Sequence, residues 1–318
     1  MIDWLSELFT IVHAWIFENG LQPLLYRFGG LGYAEQAFQG LEFALYGIIE
    51  IGIMLALIRP LEAWRPVEQW TDRRAVRVDV LYTFLHRLGI VPLGAFLLLR
   101  PLVETIDGSL RLGGYIPPSL EEAIPWLANH PLAAFLVYLL ILDFAEYLRH
   151  RLQHRFNWWW ALHALHHSQR QLSLWSDRRN HLLDDILSDF WIVLVALLIG
   201  VPPGHFLGLV VVTRLIESLS HANLRLDFGR IGRYFLVSPH YHRLHHGIGM
   251  GHEGNAHGCN FAPLFPLWDV LFGTARYLAE TPATGIRDQL DGVDYGEGFL
   301  SQQWLGIKRL LSSLRGPL

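Results

Sequence analysis

The chain has 318 residues, of which 52% are hydrophobic and 17% charged, against about a quarter charged in an ordinary soluble domain. At a mean hydropathy of +0.26 there is too little polar surface to cover soluble domains of this total length, so the extra apolar surface needs lipid. The 25 basic and 29 acidic side chains leave a formal charge of −4, which excludes the basic field a nucleic acid would need. The single cysteine, Cys259, excludes an intramolecular disulfide, a zinc ribbon and a protein-held iron–sulfur cluster.

Residues 1–40 are aromatic and apolar but broken by Glu18, Asn19 and the Gly29, Gly30, Gly32 cluster. They lack the basic start of a signal peptide and read as an interfacial amphipathic segment. Leu41 to Ile58 reaches about 27 Å as a helix and is the first predicted span. Val78 to Leu99 is the second, stopped by Arg100 and Pro101. Pro131 to Leu148 is the third, opening on a proline suited to a first turn. Ile186 to Gly200 and His205 to Leu219 form a short helical hairpin around Val201, Pro202, Pro203 and Gly204. Everything beyond Leu219 is too polar to span. The expected fold is therefore all-α integral membrane, with about three spanning helices, the hairpin, and a cytoplasmic helical cap. Residues 1–130 form the N-terminal membrane region, 131–280 the histidine-bearing domain and 281–318 a C-terminal tail.

Arginines orient this arrangement, because short cytoplasmic loops collect basic residues. Arg59, Arg65, Arg73, Arg74 and Arg77 follow the first span; Arg149, Arg151, Arg155, Arg170, Arg178 and Arg179 follow the third; Arg225, Arg230, Arg233 and Arg243 follow the hairpin. All fall on one side of the alternation, which places both histidine-rich segments in the cytoplasm. The ends of the third span and of the hairpin's second arm should run out of the bilayer as helices carrying histidines. The 24 arginines against the single Lys308 point to a GC-rich bacterial source and an inner membrane.

Of 17 histidines, 14 lie between His150 and His257. His150 and His154 are four apart, which stacks them on one helix face about 5 to 6 Å apart. His163-Ala-Leu-His166-His167 has offsets of 0, 3 and 4, and His242-Arg-Leu-His245-His246 repeats it. One ion cannot use eight imidazoles, whereas two can. An isolated histidine, such as His13, His86, His130 or His205, reads as a hydrogen-bonded core residue. Repeated groups at helix-face spacing do not, because so many buried donors need an answer. Imidazole suits zinc, copper, iron and nickel, but zinc saturates at about four ligands, so an all-histidine cluster for two metals fits redox iron better. His252-Glu-Gly-Asn-Ala-His257 imitates a metalloprotease motif, yet its histidines are five apart and Gly254 weakens a helix. Trp158, Trp159 and Trp160 suit a bilayer-interface belt.

From Asp143 to Thr274 these motifs resemble the fatty acid hydroxylase, or sterol desaturase, superfamily of membrane di-iron enzymes. The resemblance rests on Asp143, His150-Arg-Leu-Gln-His154, His163-Ala-Leu-His166-His167, Arg179-Asn-His181 and His221-Ala-Asn223. It continues through Ser238-Pro-His-Tyr-His242-Arg-Leu-His245-His246 and Asn260-Phe261 to Trp268-Asp269 and Gly273-Thr274. It implies two iron ions held by His150, His154, His163, His166, His167, His242, His245 and His246, with His181 and His221 as further ligands. Leu182 stands where many members have proline, and Glu217 where some have histidine, so Glu217 is either a carboxylate ligand or a partner of one. His240 is not expected to be a ligand. Because a ligating histidine gives its other N–H to a carboxylate or carbonyl, Asp143, Glu146, Asp184 and Asp269, with Asn260, are candidate orienting residues. The activity implied is O2-dependent hydroxylation of a lipid C–H bond, with desaturation and a non-enzymatic metal- or lipid-binding role as rivals. The chain carries no haem, flavin or iron–sulfur motif, so electrons must come from a separate donor of the ferredoxin or flavin-reductase type.

Overall fold

The structure, a computed structural model, describes residues 2–250 and 257–315. The His252 to His257 motif falls mostly outside these residues. Among them the chain is all-helical, with no strand. Helix α1, Ile2–Ile16, exposes Trp4, Leu8, Ile11 and Trp15 and tucks His13 against the Phe38 carbonyl at 2.9 Å. Helix α2 runs Leu31–Trp64, 34 residues, and contains the first predicted span. Its π turn at Met54–Ile58 sits just before Pro60, whose missing N–H breaks the regular ladder.

The second predicted span is corrected. It comprises two helices, α3 (Arg73–Arg87) and α4 (Ile90–Leu112), bent by 49° at a short break. Gly89 takes φ +80°, the left-handed conformation that ends a helix cheaply only at glycine. Helix α3 buries Asp79, Thr83, His86 and Arg87 on one side while exposing Leu81 and Phe84 on the other, whereas α4 continues through Pro101 to Leu112. Helix α5, Pro131–Arg155, is the third span and carries His150 and His154 at its far end, as expected.

Beyond α5 come α6 (Asn157–His167), the hairpin arms α7 (Leu182–Leu198) and α8 (Pro203–His221), then α9 (Pro239–His245), α10 (Leu267–Leu271) and α11 (Phe299–Arg315). The hairpin tip reaches the connection that follows α4: the Tyr115 hydroxyl donates to the Leu198 carbonyl at 3.0 Å, and a Cβ on Gly200 would press on Pro118. An apolar cluster around Tyr138, Leu142, Leu209 and Leu264 packs α5 against α8 and fixes their histidine ends at one level. Helix α11 lies along α6 and covers it from outside.

Candidate metal centre

Four helices deliver histidines to one place. The last turns of α5 carry His150 and His154, α6 carries His163, His166 and His167, α8 ends on His221, and α9 carries His242 and His245 with His246 just past its end. Ser238 starts α9 by accepting from the Tyr241 N–H, with Pro239 in the first turn. Among the described residues the rings form two groups: His150, His154, His163, His167 and His245 in one, and His166, His221, His242 and His246 in the other. Within each group the ligand atoms lie within 4.8 Å of one another, and every member is buried.

The chemistry of the rings fits a metal. In the first group, Nδ1–H of His150 donates to the Phe261 carbonyl at 2.7 Å, that of His245 to the Cys259 carbonyl at 2.7 Å, and that of His163 to Asp184 at 3.1 Å. Those bonds assign the proton to Nδ1 and leave the lone pair on Nε2. The buried Nε2 atoms of His150, His163, His167 and His245 meet no protein hydrogen-bond partner. A neutral buried acceptor left unanswered costs about 1–3 kcal/mol, so these atoms call for a ligand. In the second group, Nε2 of His221 lies 3.1 Å from that of His166 and 3.0 Å from that of His242, and His246 is 3.2 Å from His242. Adjacent nitrogens at right angles around an ion with bonds of about 2.1 Å are about 3.0 Å apart. Burial holds His166, His167, His242 and His246 well below the ordinary histidine pKa and pushes His245 down to about 3, so the rings stay neutral and able to ligate.

His181 is not brought to either group, which corrects the expectation for it. It caps α7, its Nδ1 accepting from the Leu183 N–H at 3.1 Å, while its Nε2–H donates to the Gln303 carbonyl of α11 at 2.9 Å. Glu217 also stands apart as a carboxylate, paired with Arg178. Its backbone carbonyl, not its side chain, takes the Nδ1–H of His221 at 2.7 Å. His240 lies outside both groups, bonded to the Leu278 carbonyl.

Of the candidate orienting residues, Asp184 alone touches a clustered ring, gathering His163, Gln153 and the Trp159 indole on one carboxylate. The others act at a distance. Asp143 accepts from the Leu264 and Phe265 amides and the Trp268 indole, and Asp269 from the Phe261 and Ala262 amides, Tyr241 and Thr274. Together they hold the loop whose carbonyls receive His150 and His245. Asn260, at φ +57°, pins the same loop to Tyr241 and Arg276. Glu146 pairs with Arg149. The tryptophan belt is also corrected: Trp159 is buried, and Trp160 packs against His154 and His167 at ring distances of 4.9 and 5.2 Å. Sequence reasoning missed the carbonyls of Phe261, Cys259 and Glu217, which no side chain announces.

The rings open onto a cavity of about 630 Å³ that extends between α4, α5, α7 and α8. His150, His163, His166, His221 and His242 line it together with Phe96, Leu99, Leu139, Ile192, Phe206 and Val210, and Arg100 and Glu104 stand on its wall as well. Such a space accepts a long apolar molecule and presents one part of it to the histidines.

Buried histidine groups on the wall of a cavity among membrane helices define a membrane-embedded metalloenzyme architecture. A fatty acid hydroxylase family profile matches residues 135–274. The chain is 33% identical to the ornithine lipid hydroxylase OlsE of Rhizobium tropici over 255 residues, 78% of this chain and 71% of that protein. It is 28% identical to the alkylglycerol monooxygenase of Xenopus tropicalis over 151 residues and 28% identical to the human one over 163, spanning 32% and 34% of those proteins. No solved structure matches. The chain belongs to the fatty acid hydroxylase/sterol desaturase superfamily, a family of iron-dependent hydroxylases, and it is an oxidoreductase and an integral membrane protein.

Proposed function

We propose that this protein is a di-iron oxygenase that hydroxylates an unactivated C–H bond of a membrane lipid. The observation that carries the reading is the pair of buried all-histidine groups beside a cavity walled by membrane helices. His150, His154, His163, His167 and His245 would hold one iron, and His166, His221, His242 and His246 the other. When bound, the irons supply activation of O2 and abstraction of hydrogen from the lipid. One oxygen atom enters the C–H bond as hydroxyl and the other leaves as water, which takes two electrons and two protons from outside. A separate donor of the ferredoxin or flavin-reductase type, docking on the cytoplasmic face of a bacterial inner membrane, would supply the electrons.

The chain's own contribution is placement and exclusion of water. The Phe261, Cys259 and Glu217 carbonyls and Asp184 hold the rings in one orientation, and the apolar cavity aligns the substrate for a single carbon to react. The names of the relatives favour hydroxylation over desaturation. The test is metal analysis of detergent-purified protein with mass spectrometry of lipids incubated with O2 and a reductant. About two irons per chain and a hydroxylated lipid are expected. Zinc that survives anaerobic loading with ferrous iron, with no O2-dependent product, would overturn the proposal.

A further inference from the structure

Helix α11 meets its neighbours with one side only. Gly306 fits against the His181 imidazole, the Gln303 carbonyl accepts from His181 at 2.9 Å, and the Gln303 side chain donates to the Tyr82 hydroxyl at 2.9 Å. Phe299 packs on Tyr82 with ring centroids 4.9 Å apart, and Arg309 donates to the Ala161 carbonyl of α6 at 3.2 Å. The outward half of the helix divides in two. At about 100° per residue, Leu300, Trp304, Ile307, Leu311 and Leu314 fall within an arc of about 80°, and Ser301, Lys308, Ser312 and Arg315 fill the arc beside it. Leu300 is 79% exposed, Trp304 60% and Leu314 64%. An apolar flank of this kind marks a surface that something covers.

The anchors of α11 set that flank at the level where helices enter the bilayer. On α3 the outer face changes from the exposed Arg73 and Arg77 to the exposed Leu81 and Phe84, and Tyr82, which carries Phe299 and Gln303, sits at the change. His181 is the N-cap of α7, where the first arm of the hairpin begins its apolar run. A helix fastened at both points lies along the membrane surface. Its charge is of one sign: α11 carries Lys308, Arg309 and Arg315 and no acidic residue. The Lys308 ammonium stands over the Trp304 ring at 5.6 Å, at the border between the apolar and polar arcs. The nearby exposed Glu297 is paired with Arg74 at 2.7 Å, which leaves the basic face of α3 and α11 intact. Cations bordering an apolar flank that holds a tryptophan suit the headgroup layer of an anionic leaflet.

We infer that α11 docks on anionic phospholipids, with Leu300, Trp304 and Leu311 set into the acyl boundary and Lys308 and Arg315 on the phosphates. The same helix holds His181 and covers α6, whose His163, His166 and His167 belong to the two metal groups. The charge of the leaflet therefore controls how firmly α6 is seated.

The experiment uses the purified full chain, one copy per nanodisc, in phosphatidylcholine alone or mixed with phosphatidylglycerol. Nitroxide labels on Leu311→Cys and Ser312→Cys report depth, since O2 concentrates in hydrocarbon and a nickel chelate in water. The native Cys259 is buried and leaves the labelling to the new thiol. The label at 311 is expected to meet O2 and the label at 312 nickel. Amide hydrogen exchange of α11 is expected to be roughly 30-fold slower with phosphatidylglycerol than without it, the effect of two cations at an anionic surface. Exchange in α6 should follow in the same direction. Lys308→Glu combined with Arg315→Glu should erase the difference between the membranes, and Trp304→Ser should speed exchange in both. Nickel reaching both labels equally would place the helix in water and overturn the inference. Equal exchange of the wild-type chain in the two membranes would overturn it as well, with no variant needed. Shielding of position 311 in detergent that vanishes in single-copy discs would assign the flank to a second copy of the chain instead. None of these readouts uses turnover, so their failure leaves the oxygenase reading untouched.

Discussion

Three donors, Nδ1–H of His163, the Gln153 amide and the Trp159 indole, converge on the carboxylate of Asp184, and no water reaches it. A carboxylate accepts all three, whereas a carboxamide must turn its NH2 toward at least one of them. Asp184→Asn should therefore loosen His163 and lower metal affinity by about 10- to 100-fold, the usual effect of losing a partner behind a ligand. Competition with a chelator measures it; an unchanged affinity would show that His163 needs no such support. This residue was legible in the sequence because a carboxylate near a histidine box is a recognisable partner. The carbonyls that hold His150, His221 and His245 were not legible, since every residue has one and only the folded loop selects Phe261, Cys259 and Glu217. His181 misled for a related reason. An imidazole before a helix is a ligand or a cap according to where the helix points, and that depends on Gln303, far along the chain.

Each His-x-x-His-His motif is a single helical segment serving both groups. A residue turns about 100° on the preceding one, so His163 and His167 share a face while His166 points aside, and His242 and His246 share a face while His245 points aside. The spacing led to the expectation of two metals, and the division of the histidines into two groups followed only when α6 and α9 were set opposite each other. The consequence is sharp for neighbouring residues. His166→Ala and His167→Ala should each reduce iron from about two to about one per chain, and the surviving metal should differ between them in its spectrum. Identical spectra would refute the division. His181→Asn, which preserves an N-cap, should keep both metals while weakening the seat of α11, where Gly306 fits against the imidazole so closely that a Cβ would overlap it. Loss of metal in that variant would return His181 to the ligands.

At the scale of the molecule, the apolar helices were plain in the sequence, whereas α11, which lies in the stretch read as a tail, and the route of one span were not. Val78 to Leu99 is apolar enough to read as continuous, but the buried Asp79, His86 and Arg87 make α3 part of the wall behind the histidines, with Arg87 reaching Glu50, Asp177 and Ser218. Only after Gly89 does the chain turn into the apolar α4. If α3 and α4 together cross the bilayer once, the end of α4 and the region around α11 lie on opposite sides. Leu112 is 93% exposed and Glu297 has a side chain 77% exposed, so cysteines there would be accessible. The native Cys259 will not interfere, because burial pushes its thiol up to about 12 and keeps it unreactive. A membrane-impermeant maleimide applied to intact spheroplasts should label Leu112→Cys and spare Glu297→Cys, and inverted vesicles should reverse the pattern. Labelling of both from one side would mean that α3 and α4 enter and leave by the same face, and the arginine-based orientation would fall with it.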